Sequence, residues 1–141
     1  MSIAIVSEGD ISTYSSFSYI LEKIKAHNIT ISLIPGITSY VHLASESKTP
    51  LSLQNQKVVI IPRVQNKEEL HEAITNFDTV ILMKIKSVMD VIISVIDAKK
   101  HSITYAERLG TDQQFMTNDW RVVMQRKMPY FSLMIIKKIN S

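Results

Sequence analysis

Two turns in this chain carry the residues best suited to hold a polar small molecule. The first is Ile34-Pro35-Gly36-Ile37-Thr38-Ser39. Proline stops the preceding segment because it has no backbone donor. Glycine permits a sharp turn, and Thr38 or Ser39 can open a helix. The unpaired N–H groups of a helix start bind anionic or polar groups. Plain capping of that helix is the other use of the same hydroxyls. The second turn is Glu8-Gly9-Asp10, which closes the apolar run Ile3-Ala4-Ile5-Val6. A Gly-Asp turn after a buried strand lies at the carboxyl edge of a parallel sheet, where ligands bind. Taken alone it reads as an ordinary turn, and it gains weight only from its partners.

Other chemistries are excluded by residue type. The chain has no cysteine, which removes disulfides, thiolate metal sites and a thiol nucleophile. His27, His42, His71 and His101 fall in separate elements without ligand spacing, so no metal site is expected. Neither a Gly-x-Ser-x-Gly elbow nor a phosphate-binding Walker loop occurs. Formal net charge is +3 over 141 residues, and the basic residues are scattered. No stretch interleaves them with aromatics, so nucleic acid is not an expected partner. The apolar runs are too short or too broken by charge to span a bilayer. A cytoplasmic protein without a signal peptide is the expectation.

The elements that must position these turns follow from periodicity. Ile3–Val6 predicts a buried strand, and Tyr14–His27 a helix with Tyr14, Phe17, Ile20, Leu21 and Ile24 on one face. Ser12 or Thr13 can cap it. Ile29–Ile34 predicts a second strand, giving a strand–helix–strand unit whose flanking strands the sequence does not contain. Further on, the pattern predicts a helix over Ile37–Glu46, a strand at Val58–Ile61 and a helix from Asn66 or Lys67 to Ile74. A strand at Asp78–Met83 and an apolar helix over Val88–Ala98 follow. Lys99 and Lys100 then suit the negative end of that helix dipole. Strands are predicted at Ile103–Ala106 and Tyr130–Lys137. The segment around Phe115–Arg121 is ambiguous between helix and strand. With 45% hydrophobic residues the chain can bury a sizeable core.

The order and spacing of four segments resembles the tetrapyrrole (corrin and porphyrin) methylases. These are Gly9-Asp10 with Thr13-Tyr14-Ser15 opening a helix, then Pro35-Gly36-Ile37-Thr38-Ser39, then Leu82-Met83-Lys84, then Tyr105-Ala106-Glu107-Arg108-Leu109. The Tyr14-Ser15-Ser16-Phe17 opening looks specifically like the branch acting on precorrin-2 at carbon 20. Ile11 departs from the family, whose loop carries proline there.

The resemblance implies an α/β fold: an α/β/α sandwich with a mixed sheet over residues 35–141, preceded at 1–34 by a remnant of an N-terminal parallel α/β domain. It implies an S-adenosylmethionine-dependent methyltransferase acting on a ring carbon of precorrin-2 or cobalt-factor II in cobalamin biosynthesis, with S-adenosylmethionine as co-substrate. Gly9, Asp10, Thr13, Tyr14, Ser15, Thr38, Ser39, Met83, Lys84, Arg108 and Leu109 inherit cofactor-binding roles. Met83 is otherwise core filler, and Glu107-Arg108 a solvated turn. No residue stands out as a catalytic base. A tetrapyrrole substrate and a homodimer are the implied partners. The family's opening Gly-rich loop is missing, so little catalysis by this chain alone is expected. A non-catalytic or diverged binding domain remains the other reading.

Overall fold

Side-chain alternation along the strands decides the layers. The computed structural model describes residues 3–139. Its strands are β1 (Val58–Ile61), β2 (Thr79–Met83), β3 (His101–Glu107), β4 (Phe115–Thr117) and β5 (Ser132–Lys138). Along β2, Val80 and Leu82 pack on one face and Ile81 on the other; along β5, Met134 and Ile136 oppose Leu133 and Ile135. Both faces are therefore apolar and both require cover. On the first face lie α3 (Lys67–Asn76), α4 (Met89–Val95) and α5 (Trp120–Met124), through Leu70, Ile92 and Val123. On the second lies α2 (Ser39–Glu46), anchored by the fully buried Leu43. The result is the expected α/β/α arrangement.

The five strands run in the order β1-β2-β5-β3-β4. The β1–β2 pair is parallel, bridged by α3, while β2–β5, β5–β3 and β3–β4 are antiparallel. Strand β5 enters between β2 and β3, so β2 and β3 end at the same edge of the sheet where β5 begins. The register sets Met83 opposite Leu133 and Glu107 opposite Ser132.

Several elements differ from their sequence expectation. Residues 3–6 and 29–34 take no regular secondary structure and belong to no ladder. A parallel strand needs a neighbour on at least one side, and the described residues offer none. Between 3 and 37 only Asp10 and Phe17 are buried, and Ile3, Val6 and Ile34 stay exposed. Helix α1 (Phe17–Lys25) is shorter than Tyr14–His27, because Tyr14 adopts a left-handed φ of 52°. Its entrance is held by Ser15, whose hydroxyl accepts from Phe17 N–H at 3.2 Å, rather than by Ser12 or Thr13. The predicted Val88–Ala98 helix is shortened to α4, and a 3₁₀ turn (Ile85–Val88) precedes it. Helix α4 stops at Val95, and Asp97 then takes Lys99 N–H on its own carboxylate at 2.9 Å. A short polar side chain that captures downstream amides competes with helix continuation. Lys99 and Lys100 thus lie beyond the helix end. The ambiguous segment resolves into β4 followed by α5, whose cap is Asp119 accepting from Arg121 N–H at 2.9 Å.

Candidate functional site

A cleft of about 710 Å³ opens at the edge where β2 and β3 end. Loops leaving the carboxyl ends of strands leave such crevices in α/β sheets. All the residues given cofactor-binding roles by the resemblance line it. Gly9, Asp10, Thr13, Tyr14 and Ser15 come from the first turn, Thr38 and Ser39 from the start of α2, Met83 and Lys84 from the end of β2, and Arg108 and Leu109 from the end of β3. Segments separated by as much as a hundred positions thus meet at one place.

The two turns are locked to each other by Asp10. Its Oδ2 accepts from Gly36 N–H at 2.7 Å, and its Oδ1 accepts from Ser12 N–H at 2.9 Å, from the Ser12 hydroxyl and from Thr13 Oγ1 at 3.3 Å. The Ser12 hydroxyl, followed by Gly36 N–H, holds the Asp10 carboxyl below the usual carboxylate range. Both carboxylate oxygens are thus engaged within the chain, which makes Asp10 a brace between the turns. Gly36 is required there by closeness: a Cβ on it would lie 2.2 Å from the Gly9 carbonyl oxygen. Gly9 itself holds φ +76°, a region in which L side chains are strained.

Thr38 caps α2, its hydroxyl accepting from Val41 N–H at 3.4 Å. The remaining N–H groups of the first turn have no intrahelical acceptor and border the cleft. The capping and ligand-holding uses of this turn are therefore compatible. Tyr14, Lys84 and Arg108 all adopt left-handed backbone, with φ of 52°, 53° and 48°. Such conformations in non-glycine residues cost about 1–2 kcal/mol each, and they gather at ligand clamps. Three of them line this one cleft.

The corner at Arg108 is fixed from two sides. Arg108 N–H donates to the Phe131 carbonyl at 3.0 Å, and the Thr111 hydroxyl returns to the Arg108 carbonyl at 2.8 Å. Arg108 Nη1 also donates to Gln113 Oε1. Behind it, Glu107 is buried, and the solvated-turn reading of this residue is set aside. Its Oε1 accepts from Tyr105 hydroxyl at 2.6 Å and from Arg126 Nε at 2.5 Å, and its Oε2 accepts from Arg126 Nη2 at 3.0 Å. Burial alone would raise the Glu107 carboxyl, but the Arg126 and Tyr105 hydrogen bonds and the Arg126 charge outweigh it and hold it low. Burial, then the Glu107 hydrogen bond, pushes the Tyr105 phenol far upward. The Arg126 guanidinium also lies 3.5 Å over the Phe115 ring.

Sequence reasoning missed Arg126, which meets Glu107 only through the fold. It also missed His42, Tyr130 and Phe131 as lining residues. The side-by-side aromatics after Pro129 break strand alternation and were the available signal. No cluster of potential metal ligands occurs among the described residues. Nor, among them, is any helix long and apolar enough to cross a membrane.

Comparison with known proteins gives this geometry a context. The family model described as Tetrapyrrole (Corrin/Porphyrin) Methylases matches residues 1–119. The probable cobalt-precorrin-2 C(20)-methyltransferase of Methanocaldococcus jannaschii is 33% identical over 85 residues, 60% of this chain and 36% of that protein. The cobalt-precorrin-2 C(20)-methyltransferase of Salmonella typhimurium is 22% identical over 139 residues, 96% of this chain and 58% of that protein. This chain is thus much shorter than both curated relatives. Among solved structures, a cobalt precorrin-4 methyltransferase of cobalamin biosynthesis superposes with a TM-score of 0.70 at 13% identity, over 92% of this chain and 61% of that one. Uroporphyrin-III C-methyl transferase from Thermus thermophilus, complexed with S-adenosyl homocysteine, gives 0.62 at 13% identity, over 92% and 62%. At these identities the structural likeness speaks for the fold.

Proposed function

Since the chain belongs to the tetrapyrrole (corrin/porphyrin) methylases, we propose that its cleft holds S-adenosylmethionine for methyl transfer to a ring carbon of precorrin-2 or its cobalt form, in cobalamin biosynthesis in the cytoplasm. The observation that carries this reading is the convergence of the four sequence segments on one cleft at the carboxyl edge of the sheet. In this assignment Thr38 and Ser39 present the free amides of α2 to the polar groups of the donor. Leu109 and the backbone around Arg108 receive the adenine, and Met83 packs beside the sulfur. Gly9, Thr13, Tyr14 and Ser15 close the opposite wall, and Asp10 holds that wall in register with Gly36.

The sulfonium methyl is already electrophilic, so the protein's task is to orient donor and acceptor carbon. The curated relatives are longer than this chain, and we assign to it the donor-holding part of the site. Turnover by the chain alone is expected to be weak, and a homodimer is the expected assembly. A diverged, non-catalytic binding domain is the second reading; it is favoured by Ile11 in the first turn and by an Asp10 carboxylate already spent on internal bonds. Isothermal titration with S-adenosylhomocysteine tests the proposal. Binding is expected, and Thr38→Trp, which fills the cleft at the start of α2, is expected to abolish it. No heat in the unsubstituted chain would overturn the donor-site assignment.

A further inference from the structure

At the mouth of the cleft, just before β5, Tyr130 and Phe131 are 60% and 66% exposed. Their rings stand edge to face with centroids 5.2 Å apart. Large aromatic side chains held in a fixed pair yet left in water are costly unless something covers them. The sheet topology places a cation on each side of the pair. Strand β5 runs between β2 and β3. Met83 pairs with Leu133, so Lys84 follows at the end of β2 on one flank. Glu107 pairs with Ser132, so Arg108 follows at the end of β3 on the other, its N–H on the Phe131 carbonyl. Lys84 makes no ion pair among the described residues. Glu8 and Asp112 line the same cleft, so the attraction is local to this edge and is not a net field.

We propose that Tyr130 and Phe131 form the platform on which the tetrapyrrole macrocycle lies, with Lys84 and Arg108 taking its peripheral carboxylates from either side. A broad apolar ring system bearing anionic arms matches an aromatic surface flanked by two cations. This rests on the methylase reading above and adds to it the acceptor side of the site. The donor occupies the interior, between α2 and the Arg108 corner, and the macrocycle covers the mouth.

The test uses the full chain and uroporphyrin I, a stable octacarboxylate macrocycle, followed by the shift of its Soret band, with S-adenosylhomocysteine titrated in parallel. The Tyr130→Ala/Phe131→Ala double variant is expected to bind the porphyrin on the order of tenfold or more weakly. Its affinity for S-adenosylhomocysteine should stay within twofold, because Phe131 supports Arg108 through its backbone carbonyl. Lys84→Gln is expected to weaken porphyrin binding, and added salt should narrow the difference from the unsubstituted chain. Porphyrin affinity unchanged in the double variant, or absent in the unsubstituted chain that still binds S-adenosylhomocysteine, overturns the platform. So does a double variant that dissociates a dimer while keeping the porphyrin, since the pair would then be a subunit contact. A chain that binds porphyrin in the proposed way but not S-adenosylhomocysteine would sink the donor-site reading and leave the platform standing.

Discussion

Replacing Gly36 with alanine separates the site from the core. The added Cβ would lie 2.2 Å from the Gly9 carbonyl oxygen, 3.0 Å from its carbon and 3.4 Å from Asp10 Cα. Reaching an ordinary contact of about 3.4 Å requires the two turns to part by roughly 1.2 Å. A movement of that size takes the Gly36 N–H to Asp10 Oδ2 bond, now 2.7 Å, beyond hydrogen-bonding range. Overpacking of this kind costs about 1–3 kcal/mol if nothing gives. Here the first turn gives way, because almost nothing between 3 and 37 is buried and the sheet core lies elsewhere. The expected result is a melting temperature close to that of the unsubstituted chain and an affinity for S-adenosylhomocysteine lower by on the order of 10–100-fold, as ångström-scale misplacement of a binding wall produces. Calorimetric titration and a thermal melt on the same preparation measure both. Unchanged affinity would show that the first turn is no part of the donor site. A collapse of the melt would show that residues 3–37 belong to the cooperative core.

Further outcomes follow from the same structure. Arg126→Met leaves the Glu107 carboxylate buried with the Tyr105 hydroxyl as its remaining partner. Breaking a fully buried pair costs about 3–5 kcal/mol. Arg126 is 34% exposed, so about 2–3 kcal/mol is expected in urea unfolding. Leu43→Ala removes the fully buried anchor of α2 and should cost about 2–4 kcal/mol, with weaker ligand binding as Thr38 shifts. Acid should destabilise the chain through Glu107 and loosen the first turn through Asp10. Both carboxyls are held below their ordinary values, so their contributions are complete above those values and are lost as pH falls below about 4. Circular dichroism at stepped pH checks this, and Glu107→Gln should flatten much of the response. At the alkaline end, the raised Tyr105 phenol contributes stability below the ordinary value of 10.0 that is lost as pH climbs above it. Tyr105→Phe should remove that alkaline dependence.

Local signals made the central fold legible. Continuous apolar runs within Val58–Ile61, Thr79–Met83 and Ser132–Lys138 could be read as strands, and β2 and β5 bury both faces. The cap at Asn66 and the proline-glycine turn before Thr38 marked two helix starts. What failed were features decided by neighbours. Residues 3–6 and 29–34 carry strand-like sequence, yet they form no ladder without a partner edge. The end of α4 depended on Asp97 capturing its own downstream amides. At the site, residue types and order identified which segments would converge, but not what each side chain would do. Asp10 is a brace instead of a free ligand, a role visible only when Gly36 arrives from 26 positions away. The Glu107–Arg126 pair spans 19 positions and has no sequence signature. Left-handed backbone at Lys84 and Arg108 could not be foreseen, because neither is a glycine.

Hydrogen exchange of the chain with and without S-adenosylhomocysteine tests the donor-site assignment most directly. The account predicts slowed exchange in separate stretches at once: the turn at 9–15, the start of α2 at 38–42, Met83-Lys84, and the Arg108–Gly110 corner, with β1 and α3 unchanged. Protection confined to one of these stretches, or found instead around Trp120 and His101 at the far side of the sheet, would contradict it.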